Sequence, residues 1–462
     1  MISAGTTRTL ELNNAGITVH DGTQVLLESP GYALVKGEGP LVLGDEARLR
    51  SRLNPRHTLT QFWDQLSADP TSKSQGQRLH HTDIAYAHLT QIWEKIKSDT
   101  HELILILPGS FNKQQLALLL GLTRACSMPI TGLVDSAVAA CSDSCVGGNR
   151  LYHLDMQLNA IVLTQLAVDN ELKRTKVSRL DKTGLLQLNE LWANTIADSL
   201  VRKTRFDPMH LAQTEQQLYD QIPHWLARLR KQENIVVEMG TGSRSYSITL
   251  NKDDIENATA GIYRQIVQFV RSNTDSNEPL ILLLSHRLRD LPGFCSSMEA
   301  LEPIQIIQLP HQAAALGALK HRSHICTADP APHFVTQLPY TPTAPPKTDS
   351  PPPPNSPSHI LYGSRAYPIN ECPLVLGTNI SKRNRGCKLS GALNGISRQH
   401  CSIYFKKERV WLEDHSTWGT FLNNDKIDGR SELRTGDRIR IGTPGQELMC
   451  IRIMDSHESS PT

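Results

Sequence analysis

The densest run of chemically capable side chains is S-K-R-N-R-G-C-K, Ser381–Lys388, which gathers Lys382, Arg383, Arg385 and Lys388. Ammonium and guanidinium groups this close together can pair with carboxylates or phosphates, although a surface charge run usually only solubilises. Further on, E-D-H-S-T-W-G-T-F-L-N-N, Glu413–Asn424, sets Trp418 in a turn. An indole there has two readings: facing solvent it is an interface anchor, and folded back it packs on its own domain. The glycine-rich M-G-T-G-S-R, Met239–Arg244, lies between a strand and a hairpin pattern, where a turn is a better reading than a phosphate cradle. Nine cysteines, an odd number without a C-x-x-C pair, suit reduced thiols, and the nearest pair, Cys141 and Cys145, has no second ligand pair. No metal site is expected.

These residues sit on two textures of sequence. From the start to about residue 322, β-type runs (T-Q-V-L-L-E-S, E-L-I-L-I-L-P-G, L-Y-H-L-D-M-Q-L-N-A-I-V-L-T-Q-L-A-V, N-I-V-V-E-M-G, S-Y-S-I-T-L, P-L-I-L-L-L-S-H) alternate with helical patterns. Two helices stand out, N-K-Q-Q-L-A-L-L-L-G-L-T-R-A-C-S and D-D-I-E-N-A-T-A-G-I-Y-R-Q-I-V-Q-F-V-R-S, the second with Asn251 or Asp253 as its cap. This is an α/β pattern. Proline then crowds Thr327–His359 and periodicity vanishes, which reads as an extended spacer at about 3.1 Å per residue. After it come short strands with turn signals (P-L-V-L-G, C-S-I-Y-F-K-K, R-V-W-L-E-D, G-T-F-L-N-N, D-R-I-R-I-G, E-L-M-C-I-R-I-M), an all-β sandwich pattern.

The 462 residues suffice for several cores, and 39 % hydrophobic with 20 % charged residues fits globular domains. A net charge of +2 gives no field for a polyanion, so nucleic acid is not an expected partner. No apolar run approaches the roughly 18 residues of a membrane span, and M-I-S-A-G-T-T-R-T-L-E-L-N-N lacks a basic then apolar leader. The expected location is cytoplasmic.

The C-terminal pattern L-V-L-G-T-N, I-S-R-Q-H-C-S-I-Y-F, V-W-L-E-D-H-S-T-W-G-T-F-L-N-N and L-R-T-G-D-R-I-R-I-G resembles the forkhead-associated (FHA) domain, over residues 360–454. The resemblance rests on Ser397, Arg398 and His400, the acidic pair before Ser416-Thr417, Gly419-Thr420, Asn423 and Gly436-Asp437. It implies an eleven-stranded β-sandwich whose loops read phosphothreonine peptides. By position Ser397 donates to phosphate, Arg398 lies beside it, Thr417 touches phosphate or peptide, and His400 braces the loops from within. Two positions depart from the family: Thr378 stands where an arginine follows Gly377, and Trp418 replaces the Asn before Gly-Thr. Losing an arginine removes a charge-assisted hydrogen bond of about 1.5–3 kcal/mol, which Arg383 or Arg385 can replace. From Ile360 onward, fifteen Lys and Arg stand against eleven Asp and Glu, a balance suited to an acidic or phosphorylated partner.

The region to residue 322 resembles the actin and heat-shock chaperone ATPase fold, a two-lobed ribonuclease H-like architecture. Its landmarks occur in order: L-E-L-N-N-A-G-I-T-V, V-L-G-D-E-A-R-L-R with N-P-R-H-T, L-P-G-S-F-N-K-Q-Q-L-A-L-L-L-G-L-T-R-A-C-S-M-P-I-T-G-L-V-D-S-A-V-A-A-C, L-Y-H-L-D-M-Q-L-N-A-I-V-L-T-Q-L, S-Y-S-I-T-L-N-K-D-D-I-E-N-A, L-L-L-S-H-R-L-R-D-L-P-G-F and P-H-Q-A-A-A-L-G-A-L. The resemblance places a nucleotide cleft at Glu11, Asn14, Asp135 and Asp155. In the family, Asp-x-Gly turns bring backbone N–H groups to phosphate, and a Cβ blocks that approach. Here Glu11 replaces the first Asp, Asn13 and Asn14 occupy its glycine turn, Gln157 and Leu158 follow Asp155, and Ser285-His286 replaces paired glycines. The fold is expected to persist without catalysis; ATP with magnesium is the only cofactor the resemblance suggests, and none is expected.

Four segments follow: an actin-like domain over 1–322, a Pro-rich linker over 323–359, an FHA domain over 360–454 and a disordered tail over 455–462. The expected function is that of a cytoplasmic interaction protein whose pseudo-ATPase body is tethered to an FHA module that docks a protein partner, a phosphothreonine-containing one being one candidate and a phosphate-independent one the other. The alternative is an active actin- or chaperone-like ATP-binding protein localised by that module, and the linker threonines Thr341 and Thr343 are candidate phosphorylated ligands.

Overall fold

The computed structural model describes residues 6–35, 39–69, 79–144, 146–147, 150–241, 244–274, 280–301, 304–326, 332–341, 356–363, 365–370, 373–379, 386–389, 395–406, 409–423, 425–442 and 445–452. They form two compact units, divided at Thr343.

In the first unit, strands β1 (Thr7–Glu11), β2 (Ile17–His20), β3 (Val25–Ser29), β4 (Glu102–Leu107) and β5 (Ile130–Asp135) make one sheet in the order β3-β2-β1-β4-β5. Strand β2 is antiparallel to its neighbours, while β1, β4 and β5 run parallel. A second sheet repeats this plan with β6 (Arg150–Met156), β7 (Ala160–Val168), β8 (Glu171–Asp181), β11 (Leu280–Leu284) and β12 (Ile304–Gln308), in the order β8-β7-β6-β11-β12. Again the middle hairpin strand, β7, is antiparallel and β6, β11 and β12 are parallel. The intervening strands β9 (Asn234–Thr241) and β10 (Arg244–Asn251) form a separate hairpin. That hairpin takes Met239, Gly240, Thr241 and Arg244 of the glycine-rich stretch into its paired strands, and Gly242 and Ser243 between them lie outside the described residues.

Local sequence explains the elements. Parallel strands covered on both faces are continuously apolar, and Leu103–Leu107 is buried throughout. Helices α1 (His81–Ile96) and α2 (Lys113–Ala125) precede and follow β4. Asn112 starts α2 with a capping box, its Oδ1 accepting from Gln115 N at 2.9 Å while Gln115 Oε1 accepts from Asn112 N at 3.1 Å. Helix α3 (Ser136–Cys141) follows β5, and α4 (Leu185–Thr204), α5 (Ala212–Leu229) and α6 (Lys252–Asn273) pack around the second sheet and hairpin. Asn251 is the residue at the start of α6.

The two sheets share one core. It joins Ile104, Ile106 and Val134 of the first to Leu151, Leu166 and Leu283 of the second through α3 and α7 (Ala313–Lys320). Gly317 of α7 lies against the Ala139 carbonyl of α3, where a Cβ has no room, so the helices meet backbone to backbone.

One boundary needs correction. The chain from 323 was expected to be linker, yet β13 (Phe334–Val335) adds to β5 and β14 (Gln337–Pro339) adds to β8. Leu338 is fully buried, and Tyr340 is buried with its hydroxyl bonded to the Val146 backbone at 2.7 and 2.9 Å. Burial of these apolar side chains outweighs the local proline bias.

The second unit holds a six-stranded and a five-stranded sheet. The first contains β15 (His359–Tyr362), β16 (Arg365–Pro368), β21 (Thr420–Leu422), β22 (Asp425–Lys426), β24 (Arg438–Ile441) and β25 (Gln446–Ile451). The other contains β17 (Leu374–Gly377), β18 (Gly386–Lys388), β19 (Cys401–Lys406), β20 (Arg409–Asp414) and β23 (Arg430–Leu433). Alternate residues such as Ile360, Leu376, Ile403, Leu412, Ile439 and Ile441 turn into one core between them. Among the described residues no helix is long and apolar enough to cross a membrane.

Candidate functional site

In the first unit the ends of β1, β6 and β11 bring Glu11, Asp155 and Arg287 together. Arg287 Nη1 lies 2.9 Å from Glu11 Oε1 and 3.6 Å from Asp155 Oδ1, and Nη2 donates to the Gly16 carbonyl at 3.3 Å. These side chains are about nine-tenths buried. Burial raises the Asp155 carboxyl, but the Arg287 guanidinium and the neighbouring His153 outweigh it and hold the group below the usual carboxylate value. Burial and Arg287 push His286 down to about 3, so its imidazole, stacked on His311 at 3.9 Å between ring centres, is neutral near pH 7.

The turn after β1 is closed by side chains. Asn13 Nδ2 donates to Asp155 Oδ2 at 2.9 Å and to the Met156 carbonyl at 3.0 Å. Asn14 Oδ1 accepts from Leu158 N at 2.8 Å, and its Nδ2 donates to Asp64 Oδ2 at 2.9 Å. The amides thus engage the facing turn, where glycines would leave N–H groups open to a ligand. The cavity bordered by Glu11, His153, Asp155, Arg287 and His311 has about 20 Å³, room for roughly one water where small-molecule sites span about 300–1,000 Å³.

Of the expected cleft residues, Glu11 and Asp155 meet on Arg287, whereas Asn14, next in sequence to the Asn13 that bonds Asp155, bonds Leu158 and Asp64 instead. Asp135 is committed elsewhere. Its Oδ1 caps α3 by accepting from Ala137 N and Val138 N at 2.9 and 3.2 Å, and its Oδ2 takes Arg174 Nη1 at 2.7 Å. Full burial pushes this carboxyl up, and Arg174 opposes the shift. A hydrated magnesium ion and a triphosphate do not fit these residues, because the Arg287 guanidinium occupies the space between the two acids and Asn side chains fill the turn.

In the second unit three loops converge at one end. Gly377 ends β17 against the Arg398 carbonyl, with no space for a Cβ, and Thr378 N donates to the Ser397 carbonyl at 3.2 Å. His400 is wholly buried below them. Its Nδ1 accepts from Ser397 N at 3.1 Å and its Nε2–H donates to the Gly419 carbonyl at 3.2 Å. A backbone N–H only donates and a carbonyl only accepts, so the ring is neutral with its proton on Nε2. Burial lowers the His400 pKa, against the contrary pull of the Gly419 carbonyl and Asp414.

Asp414 ties the third loop. Its Oδ1 accepts from Ser416 N at 3.0 Å and Thr420 Oγ1 at 2.7 Å, and its Oδ2 from Thr420 N at 3.2 Å. Burial raises this carboxyl, but bonds from Thr420 and Ser416 bring it below the usual value. Ser416 Oγ in turn accepts from Gly419 N at 2.7 Å. This tight turn, with Gly419 at φ +94°, lifts Trp418 outward to 71 % exposure, which decides between its two readings in favour of solvent. Thr417 N donates to Ser397 Oγ at 3.4 Å, leaving the Ser397 hydroxyl hydrogen for a ligand.

Ser397, Thr417 and Thr378 are therefore neighbours, Arg398 and Trp418 are exposed beside them, and Arg383 and Arg385 lie outside the described residues. Arg398 has no ion pair among the described residues. A donor-rich, uncharged-to-basic surface with an aromatic at its edge suits an anionic peptide.

This all-β unit is a two-sheet sandwich with an exposed loop cluster at one end. More narrowly, the family model for the FHA domain matches residues 376–442, so the C-terminal unit carries an FHA domain, a phosphoprotein-binding interaction module. No curated protein matches the chain.

Replacing Arg287 by Met strands two buried carboxylates and is expected to destabilise the first unit by about 3–5 kcal/mol in urea unfolding. Adding Glu11→Gln and Asp155→Asn restores most of it; equal stability of wild type and Arg287→Met contradicts the ion-pair account. Because Asp155 is depressed when folded, its contribution is present above the ordinary carboxylate pKa and fades as pH falls through the folded value. An NMR titration should place His400 below the ordinary histidine value of about 6.5, and a higher value contradicts burial as the governing cause.

Proposed function

We propose that the chain is a docking protein in which a body of actin-like fold, without ATP turnover, is tethered to an FHA module that binds a phosphothreonine-bearing protein. The observation that carries the body's part of this reading is Arg287, which holds the position between Glu11 and Asp155 that a metal would need. The repeated sheet order, β3-β2-β1-β4-β5 and β8-β7-β6-β11-β12, supports an actin-like duplication. Fold alone does not carry activity; the site does.

On the FHA side, the phosphate accepts from the Ser397 hydroxyl and Arg398, Thr417 lines the same pocket, and Trp418 covers the peptide's edge. Lacking an arginine at 378, the module binds with one charge-assisted hydrogen bond fewer than the family pattern provides, about 1.5–3 kcal/mol.

Fluorescence titration of the full chain with phosphorylated and unphosphorylated threonine peptide libraries tests the docking role. Phosphate-dependent binding is expected, strengthened by about tenfold or more in Thr378→Arg. Equal affinity for both libraries in both proteins contradicts it.

A further inference from the structure

The two main sheets of the first unit have four edges, and the chain protects three of them. Strand β13 covers the β5 edge of the first sheet, and β14 covers part of the β8 edge of the second. At the far side of the first sheet, β3 carries the exposed charge of Glu28. Cover and charge are the devices that keep a sheet edge from adding another strand. The fourth edge, β12, has neither. Its sequence is I-Q-I-I-Q, and among the described residues only β11 pairs with it.

The direction of its backbone groups follows from one hydrogen bond. Leu309 N donates inward to the Leu284 carbonyl at 2.9 Å. Peptide groups alternate along a strand, so Ile307 and Gln305 also face β11, while the N–H and C=O groups of Ile304, Ile306 and Gln308 face outward. Among the described residues no other strand or loop backbone bonds these outward groups. Gln305 and Gln308 are exposed, and the three isoleucines are half-buried. In sequence Pro303 and Pro310 bracket the strand, and their missing N–H groups confine pairing to these five residues.

We propose that β12 pairs with β12 of a second copy of this chain, antiparallel about a two-fold axis at Ile306. In that register Ile306 faces the partner's Ile306, and Ile304 faces the partner's Gln308. The outward groups then meet as the closely spaced hydrogen-bonded pairs of an antiparallel ladder. The absence of charge selects the occupant: the strand has no charged side chain with which to choose a foreign partner, and an identical strand sets no like charges opposite one another. A two-fold contact closes on itself, so it makes a dimer rather than a filament. One short strand on each side buries less than the roughly 1,200 Å² of stable interfaces, so the dimer is a weak one.

Sedimentation velocity of the full chain over a concentration series tests the pairing. Wild type is expected to pass from monomer to dimer with a dissociation constant of about 1–100 µM. Gln305→Lys brings two ammonium groups to diagonal positions across the axis, and Gln308→Pro removes an outward N–H without touching a bond to β11. Each should raise the dissociation constant about tenfold or more. An equal mixture of Gln305→Lys and Gln305→Glu chains should dimerise again, which separates edge repulsion from misfolding. Wild type that stays monomeric throughout the series overturns the proposal. So does a dimer that either substitution leaves intact, or a mixture that fails to pair.

Discussion

A guanidinium buried between two carboxylates is the contact on which the body of this protein depends. Glu11 ends a strand of one sheet and Asp155 lies near the end of a strand in the other, so without a cation the two sheet ends would carry like charges toward each other in a poorly hydrated space. Arg287 resolves this with one rigid fork, and Asn13 and Asn14 add amide bonds from the first turn to the second. The cost of desolvating a guanidinium is met by two carboxylates and the Gly16 carbonyl together.

The FHA module is organised by a comparable economy of hydrogen bonds. One neutral His400 holds both the Ser397 loop and the Gly419 turn, and one Asp414 holds Ser416 and Thr420. With the loops fixed from below, the groups left outside are a hydroxyl, a guanidinium and an indole. Rigid anchoring of this kind lowers the entropy lost when a peptide binds. The altered Trp418 thus changes what the loop presents while the turn beneath it stays tied through Gly419 and Asp414.

Much of this was legible in sequence because it is local. The apolar run Glu102–Leu107, the capped helix after Asn112 and the short C-terminal strands follow from periodicity and capping alone. The run Leu151–Val168 is two strands of a hairpin, since Gln157–Asn159 turns the chain, a break that continuous hydrophobicity conceals. The strands Phe334–Val335 and Gln337–Pro339 are too short to show a period, and their pairing partners lie far away in the chain. The same applies to Arg287, separated from Glu11 by 276 residues, which no motif near either residue announces.

Arg287 fills the space between Glu11 and Asp155, and whether a nucleotide still finds a place there can be measured. Isothermal titration of the full chain with magnesium and ATP, together with a phosphate-release assay, addresses it most directly. No saturable heat and no phosphate release above the protein-free rate are predicted. Stoichiometric binding with turnover that Asp155→Ala abolishes would contradict the account.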